Sequence, residues 1–261
     1  VRKMRILLYG WDTSPRLGIK EVCDASVSIV RKMGHEYVPH NSKAICAEAI
    51  GFLGYDNLVD DLAKAIVKEV EDVVSKEDVD LILTSYAAPY AAWSKEREGF
   101  LVKRGYELPV PIEHMATFLY KNLDSLKFKE LPMRVLLHDG CTLGRKMGVV
   151  KEPRDVLARI PKLEVLNFDH PELYVKERNL NPWDISACPG GWLDFTLPEL
   201  MPYVASNVIR EYALPREVDA IVSTCGNGYH AFKAGIKHSG FDIKAMAYAN
   251  LVDLALEGVK E

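Results

Sequence analysis

Residues 78–90 and 217–229 align without a gap, Asp-Val-Asp-Leu-Ile-Leu-Thr-Ser-Tyr-Ala-Ala-Pro-Tyr against Glu-Val-Asp-Ala-Ile-Val-Ser-Thr-Cys-Gly-Asn-Gly-Tyr. An aromatic residue follows at the same further offset in each, Trp93 and Phe232. A second correspondence, with one residue inserted, joins Arg-Ile-Leu-Leu-Tyr-Gly-Trp-Asp at 5–12 to Arg-Val-Leu-Leu-His-Asp-Gly-Cys-Thr at 134–142. A chain that repeats a strand and its following turn in two halves is constrained to fold as a duplicated unit. The seam is expected at 123–132, a polar stretch ending in proline, giving domains 1–128 and 129–261.

Strand signals fall at 5–9, 36–39, 79–85, 133–138, 163–168, 220–224 and 243–248. Each is short, and the most apolar show little alternation, the pattern of parallel strands covered on both faces. Helical patterns at 58–74, 197–213 and 231–238 supply the covers. The fold class is α/β, as two similar tandem domains related by internal duplication, each a mainly parallel sheet flanked by helices. The charged positions of 64–76 mark the solvated face of an amphipathic helix.

A formal charge of −4 offers no basic surface for nucleic acid. No apolar run is long enough for a signal peptide or a membrane span, so a cytoplasmic protein is expected. Five cysteines cannot all pair with one another, and in a reducing compartment they are structural, catalytic or metal-binding. Cys23, inside a helical pattern, reads as a small core residue.

Three cysteines stand elsewhere. Cys141 and Cys225 each follow a strand, and Cys188 opens Cys-Pro-Gly-Gly. Ligands of open α/β sheets gather at the carboxyl ends of the strands, where helix N-termini present backbone N–H groups. Cys141 and Cys225 are therefore expected to converge, and converging thiolates hold iron or zinc. No local C-x-x-C pair supports them. In the repeat alignment Trp11 and Tyr86 take the places of Cys141 and Cys225, and Cys46 stands near the place of Cys188.

The runs His138-Asp-Gly-Cys-Thr-Leu-Gly-Arg145, Glu152-Pro-Arg-Asp-Val-Leu-Ala-Arg-Ile-Pro161, Cys188-Pro-Gly-Gly191 and Ser223-Thr-Cys-Gly-Asn-Gly-Tyr229 resemble the cysteine-rich (CCG) domain. That domain occurs twice in the B-type subunits of heterodisulfide reductases and in related subunits of glycolate and lactate oxidases and of some succinate dehydrogenases. The family motif is a lone cysteine, then Cys-Cys-Gly, then Cys-x-x-Cys. Here it is reduced to Cys141, Ala187-Cys188-Pro189, and Cys225 with Gly228 in the last slot. Three thiolates do not complete the family's five-thiolate cluster, but they suffice for a 4Fe–4S cube with one foreign or open site. A three-iron cluster, zinc with three cysteines and a fourth ligand, or bare thiols are the alternatives.

The resemblance implies an oxidoreductase subunit similar to the B-type subunits of heterodisulfide reductases, working in thiol, disulfide or sulfur electron transfer. Cys141, Cys188 and Cys225 are its expected catalytic and metal-binding residues. Its expected partners are a ferredoxin-like iron–sulfur subunit, a flavin subunit and a small thiol or disulfide substrate. The rivals are a non-catalytic docking subunit and an electron-transfer module of a hydroxyacid oxidase. Around the cysteines, His138 and His230 are candidates to donate to a thiolate, and His230 to be a fourth ligand; structural histidines are the competing reading. Arg145 is placed to attract an anion, Trp183 to wall a pocket, and Gly190 and Gly191 to let the backbone approach a cofactor. No G-x-G-x-x-G or G-K-S/T loop is present.

Overall fold

The computed structural model describes residues 2–9, 20–40, 50–51, 54–168 and 189–260. The chain forms two compact units, Val1–Lys127 with Glu257–Glu261, and Phe128–Leu256. In the first unit, β1 (Arg5–Leu8), β2 (Glu36–Val38), β3 (Leu81–Thr84) and β4 (Ile112–His114) form a sheet in the order β2-β1-β3-β4. The strand β5 (Leu126–Phe128) pairs with β10 (Leu256–Val259), so the last residues go with the first unit. In the second unit, β6 (Met133–His138), β7 (Leu163–Asn167), β8 (Ala220–Ser223) and β9 (Lys244–Ala247) take the order β7-β6-β8-β9. The permutation is the same in the two four-stranded sheets and every pairing in both is parallel, as a tandem duplication requires.

The inner strands are apolar because both faces are covered. Every residue of β3 and of β8 is buried. The helices described here are α1 (Lys20–Lys32), α2 (Asp56–Glu77), α3 (Ala87–Trp93), α4 (Met115–Lys121), α5 (Lys151–Leu157), α6 (Met201–Val208), α7 (Gly226–Ser239) and α8 (Tyr248–Ala255). In α2, Val59, Ala63, Ile66 and Val70 recur at three- and four-residue intervals and pack on Leu7 and Ile82, while Lys64, Glu71 and Asp72 face solvent. In the second unit, Leu136 and Ile221 lie under Phe168, Ile209 and Phe232. None of the described helices is long and apolar enough to cross a membrane.

The duplication extends to single hydrogen bonds. At the start of β1 the Arg5 N–H donates to Asp80 Oδ2 at 2.8 Å and the Asp80 N–H returns to the Arg5 carbonyl at 2.9 Å. At the start of β6, Arg134 and Asp219 make the same two bonds at 2.7 and 2.8 Å. Both arginines also reach a glutamate on the neighbouring strand, Arg5 to Glu36 at 3.3 Å and Arg134 to Glu164 at 3.2 Å. Asp78 and Glu217, equivalent in the repeat, both adopt the left-handed backbone region, with φ of 50° and 48°. Replacing Asp80 or Asp219 by alanine removes one acceptor of a strand-initiating N–H. Each change is expected to lower stability by about 1 kcal/mol, read as the shift in urea midpoint of the unit concerned.

Two expectations are adjusted. The helix expected at 197–213 begins at Met201 and gives way to a π-helical stretch, Ile209–Ala213. Cys23 is half-buried, beside rather than within the buried stripe of Val22, Ala25, Ser26, Ile29 and Val30 on α1.

Candidate functional site

A sheet of this order reverses the direction of winding between its two central strands, and a crevice opens outside their carboxyl ends. In the second unit those strands are β6 and β8. Their ends carry Cys141 and Cys225, which places one thiol on each side of the switch point. Cys141 lies in a π-helical turn, Gly140–Lys146, directly after β6. Cys225 is extended, with φ of −124° and ψ of 127°, and caps the N-terminus of α7.

Glycines let the two loops meet. A methyl at Gly140 would stand 2.8 Å from Cβ of Cys225, and φ at Gly140 is +70°. A methyl at Gly228 would lie 2.6 Å from the Ser223 hydroxyl, so the first turn of α7 closes tightly on the end of β8. A methyl at Gly191 would lie 2.9 Å from the Asn227 backbone, bringing the 3₁₀ turn Gly191–Phe195 against that same first turn. Gly190 precedes it at a φ of +85°.

Both thiols are half-buried. Burial pushes the Cys225 thiol up and the charge of Cys141 adds to this, while backbone N–H groups of Gly228 and Asn227 pull the other way. The two sulfurs therefore feel one another. A thiol held protonated in this way is a poor free nucleophile at neutral pH, and a cation that displaces its proton converts it into a ligand.

The loop that carries Cys141 is braced by charge. Asp139 is buried, and Arg154 of α5 grips its carboxylate bidentately at 2.5 and 2.8 Å. The same guanidinium donates to Asn167 Oδ1, at the end of β7, at 3.0 and 2.8 Å, and to the Val150 carbonyl at 2.8 Å. The Thr224 hydroxyl donates to the Asp139 carbonyl. Three strand ends and one helix are thus tied around Asp139.

Of the residues expected at the site, the structure brings together Cys141, Cys225 and, through Asn227, Gly191. Cys188, Trp183, Cys46 and Trp11 lie outside the described residues. His138 is buried in the core, edge-on to Phe168 and Phe232, with Nδ1 3.2 Å from the Ser223 hydroxyl. His230 lies 3.8 Å from Asp194 of the 3₁₀ turn. Arg145 is exposed in the last turn of the π-helical segment. Among the described residues no three of His, Cys, Asp and Glu converge as a metal centre. Sequence reasoning missed the roles of Asp139, Arg154 and Ser223, although all three stand inside the motifs that carry the resemblance. In the first unit the corresponding station is filled by Tyr86, Pro89 and Tyr90, all buried.

Cys141 and Cys225 thus follow the two central strands of a parallel α/β unit. Residues 135–174 match the cysteine-rich domain, CCG, so the resemblance read from the motifs holds. The D-type subunit of a dihydromethanophenazine:CoB--CoM heterodisulfide reductase from Methanosarcina acetivorans is 27% identical over 204 residues, 77% of this chain and 47% of that protein. The B-type subunit of a CoM/CoB fumarate reductase from Methanothermobacter marburgensis is 26% identical over 233 residues, 88% of this chain and 42% of the relative. An uncharacterised iron–sulfur protein from Methanocaldococcus jannaschii is 29% identical over 110 residues, 42% of this chain and 20% of that protein. The chain spans less than half the length of each of these relatives.

Proposed function

We propose that the chain is an electron-transfer subunit of a heterodisulfide reductase-like complex, with an iron–sulfur cluster held by Cys141, Cys225 and Cys188. The observation that carries this reading is the pair Cys141 and Cys225, set across the switch point on two loops that meet where Gly140 approaches Cys225. Soft sulfur donors, with N–H groups of the first turn of α7 to stabilise negative charge, fit an iron–sulfur group. Cys188 enters as third ligand by the family motif. A cluster bound there would be held by Cys141, Cys188 and Cys225 and would supply one-electron chemistry at a sulfur substrate. This chain's own residues hold the thiolates at fixed positions and exclude water from the buried side of Cys225. The partners are a ferredoxin-like iron–sulfur subunit and a flavin subunit, and the substrate is a small disulfide or thiol. The relatives' names and the cysteine-rich match support the redox class.

A docking subunit without a cluster is the second reading. It is favoured by the replacement of two of the family motif's cysteines by Ala187 and Gly228. Anaerobic reconstitution with ferrous iron and sulfide separates the two. The cluster reading expects about four iron atoms per chain, matching acid-labile sulfide, and a visible absorption band. Cys225→Ser is expected to weaken iron retention by about ten-fold or more. Iron and sulfide at background in the reconstituted wild type, or zinc alone retained, would sink the cluster reading. Reduction of a disulfide by the reconstituted complex would distinguish a sulfur-reducing subunit from the relay module of a hydroxyacid oxidase.

A further inference from the structure

The geometry points to His138 as a positioning residue for Cys225, acting through the hydroxyl of Ser223; its relevance to a cluster rests on the reading of Cys225 as a ligand. Ser223 Oγ accepts from the Cys225 N–H at 3.2 Å and donates to the Cys225 carbonyl at 2.9 Å, so it clips both backbone groups of that residue. A serine hydroxyl has one proton, and the carbonyl takes it. The Nδ1 atom of His138, 3.2 Å from the same oxygen, is then the donor of their shared bond, which assigns the ring proton to Nδ1.

The imidazole has no freedom to turn away. It is 2% exposed and held edge-on between Phe168 and Phe232 at 5.6 and 5.3 Å, while the bare α-carbon of Gly228 leaves room for its edge. A rigid ring therefore fixes the rotamer of Ser223, and Ser223 fixes the backbone on which Cys225 stands.

The first unit supplies an internal comparison. Thr84, equivalent to Ser223, makes the same clip on Tyr86, accepting from its N–H at 3.1 Å and donating to its carbonyl at 3.4 Å. At the place of His138 that unit has Tyr9. A hydroxyl clip with tyrosine at the place of His138 thus forms the turn where the capping residue is tyrosine. The imidazole is added in the unit whose capping residue is a cysteine, which separates its role from the formation of the turn.

The test uses four variants of the full chain. His138→Phe keeps an aromatic ring in the cage and removes the donor, and His138→Asn restores one. Ser223→Ala removes the clip, and Ser223→Thr installs the hydroxyl of Thr84. In reduced, metal-free protein, iodoacetamide labelling of each cysteine is followed by mass spectrometry. His138→Phe and Ser223→Ala are expected to change the rate at Cys225 by about three- to ten-fold, the worth of one or two hydrogen bonds, and to leave Cys141 and the circular dichroism spectrum unchanged. Ser223→Thr is expected to match wild type, and His138→Asn to move back toward it. In reconstituted protein the same two damaging variants are expected to alter the electron paramagnetic resonance line shape. An unaltered Cys225 rate in folded His138→Phe and Ser223→Ala overturns the positioning role, whether or not iron is bound. A clear labelling contrast in a wild type that takes up no iron upholds the positioning role and removes only the cluster.

Discussion

Arg154→Met is expected to destabilise the second unit by about 3 kcal/mol, because it strands the Asp139 carboxylate in a site from which water is largely excluded. The Asp139 side chain is 5% exposed and that of Arg154 is 21%, so the pair is buried on the carboxylate side and partly wet on the guanidinium side. That asymmetry places the expected loss at the lower end of the range for broken buried pairs. Arg154→Lys should recover little of it. The guanidinium satisfies both Asp139 oxygens and Asn167 Oδ1 at once, and a single ammonium cannot span that fork. Asp139→Asn, which keeps an oxygen acceptor and leaves the charge on the wetter partner, should cost less than Arg154→Met. Urea unfolding followed by circular dichroism, resolving the transition of the second unit, gives the ranking. A midpoint for Arg154→Met indistinguishable from wild type would show that Asp139 finds other partners.

The Asp139–Arg154 brace explains why part of the site is legible in the sequence and part is not. Strands are legible because a parallel strand covered on both faces is apolar throughout. Leu81–Thr84 and Ala220–Ser223 announce themselves for that reason. β4 escapes a sequence reading because it directly follows the Pro109-Val-Pro111 stretch, which reads as loop, and β5 because it lies within the polar 123–132 stretch expected as the seam. α7 starts earlier than its pattern predicts because Gly226-Asn227-Gly228 is poor helix sequence in isolation. Contact with Ser223 and His138 makes a small residue necessary at Gly228, and that constraint is invisible in a local window.

The same distinction applies to the side chains. Convergence of Cys141 and Cys225 follows from strand order, a topological property. The partners of each polar group depend on rotamers. His230 turns to Asp194, and His138 turns into the core. The signal for Arg154 is present in the Glu-Pro-Arg run. A buried aspartate next to a glycine turn needs a cation, and this arginine is the one the next helix delivers to it.

Gly140→Ala is the second change of large expected effect, and a control separates its two causes. Gly140 and Gly240 have nearly the same backbone angle, φ of +70° and +66°. A methyl at Gly240 meets nothing within 4 Å, so Gly240→Ala should cost only the left-handed strain of an alanine, about 1 kcal/mol. A methyl at Gly140 would in addition stand 2.8 Å from Cβ of Cys225, a backbone-rooted atom that cannot swing aside. Relief requires moving the end of β6 or the cap of α7, which adds about 1–3 kcal/mol. The expected difference between the two variants in urea midpoint is therefore the cost of separating the two cysteine loops. If Gly140→Ala relaxes by displacing Cys225, its iron retention after reconstitution falls together with its stability. If it relaxes elsewhere, stability falls and iron retention does not, and the contact between Gly140 and Cys225 sets the fold of the unit but not the distance between its thiols.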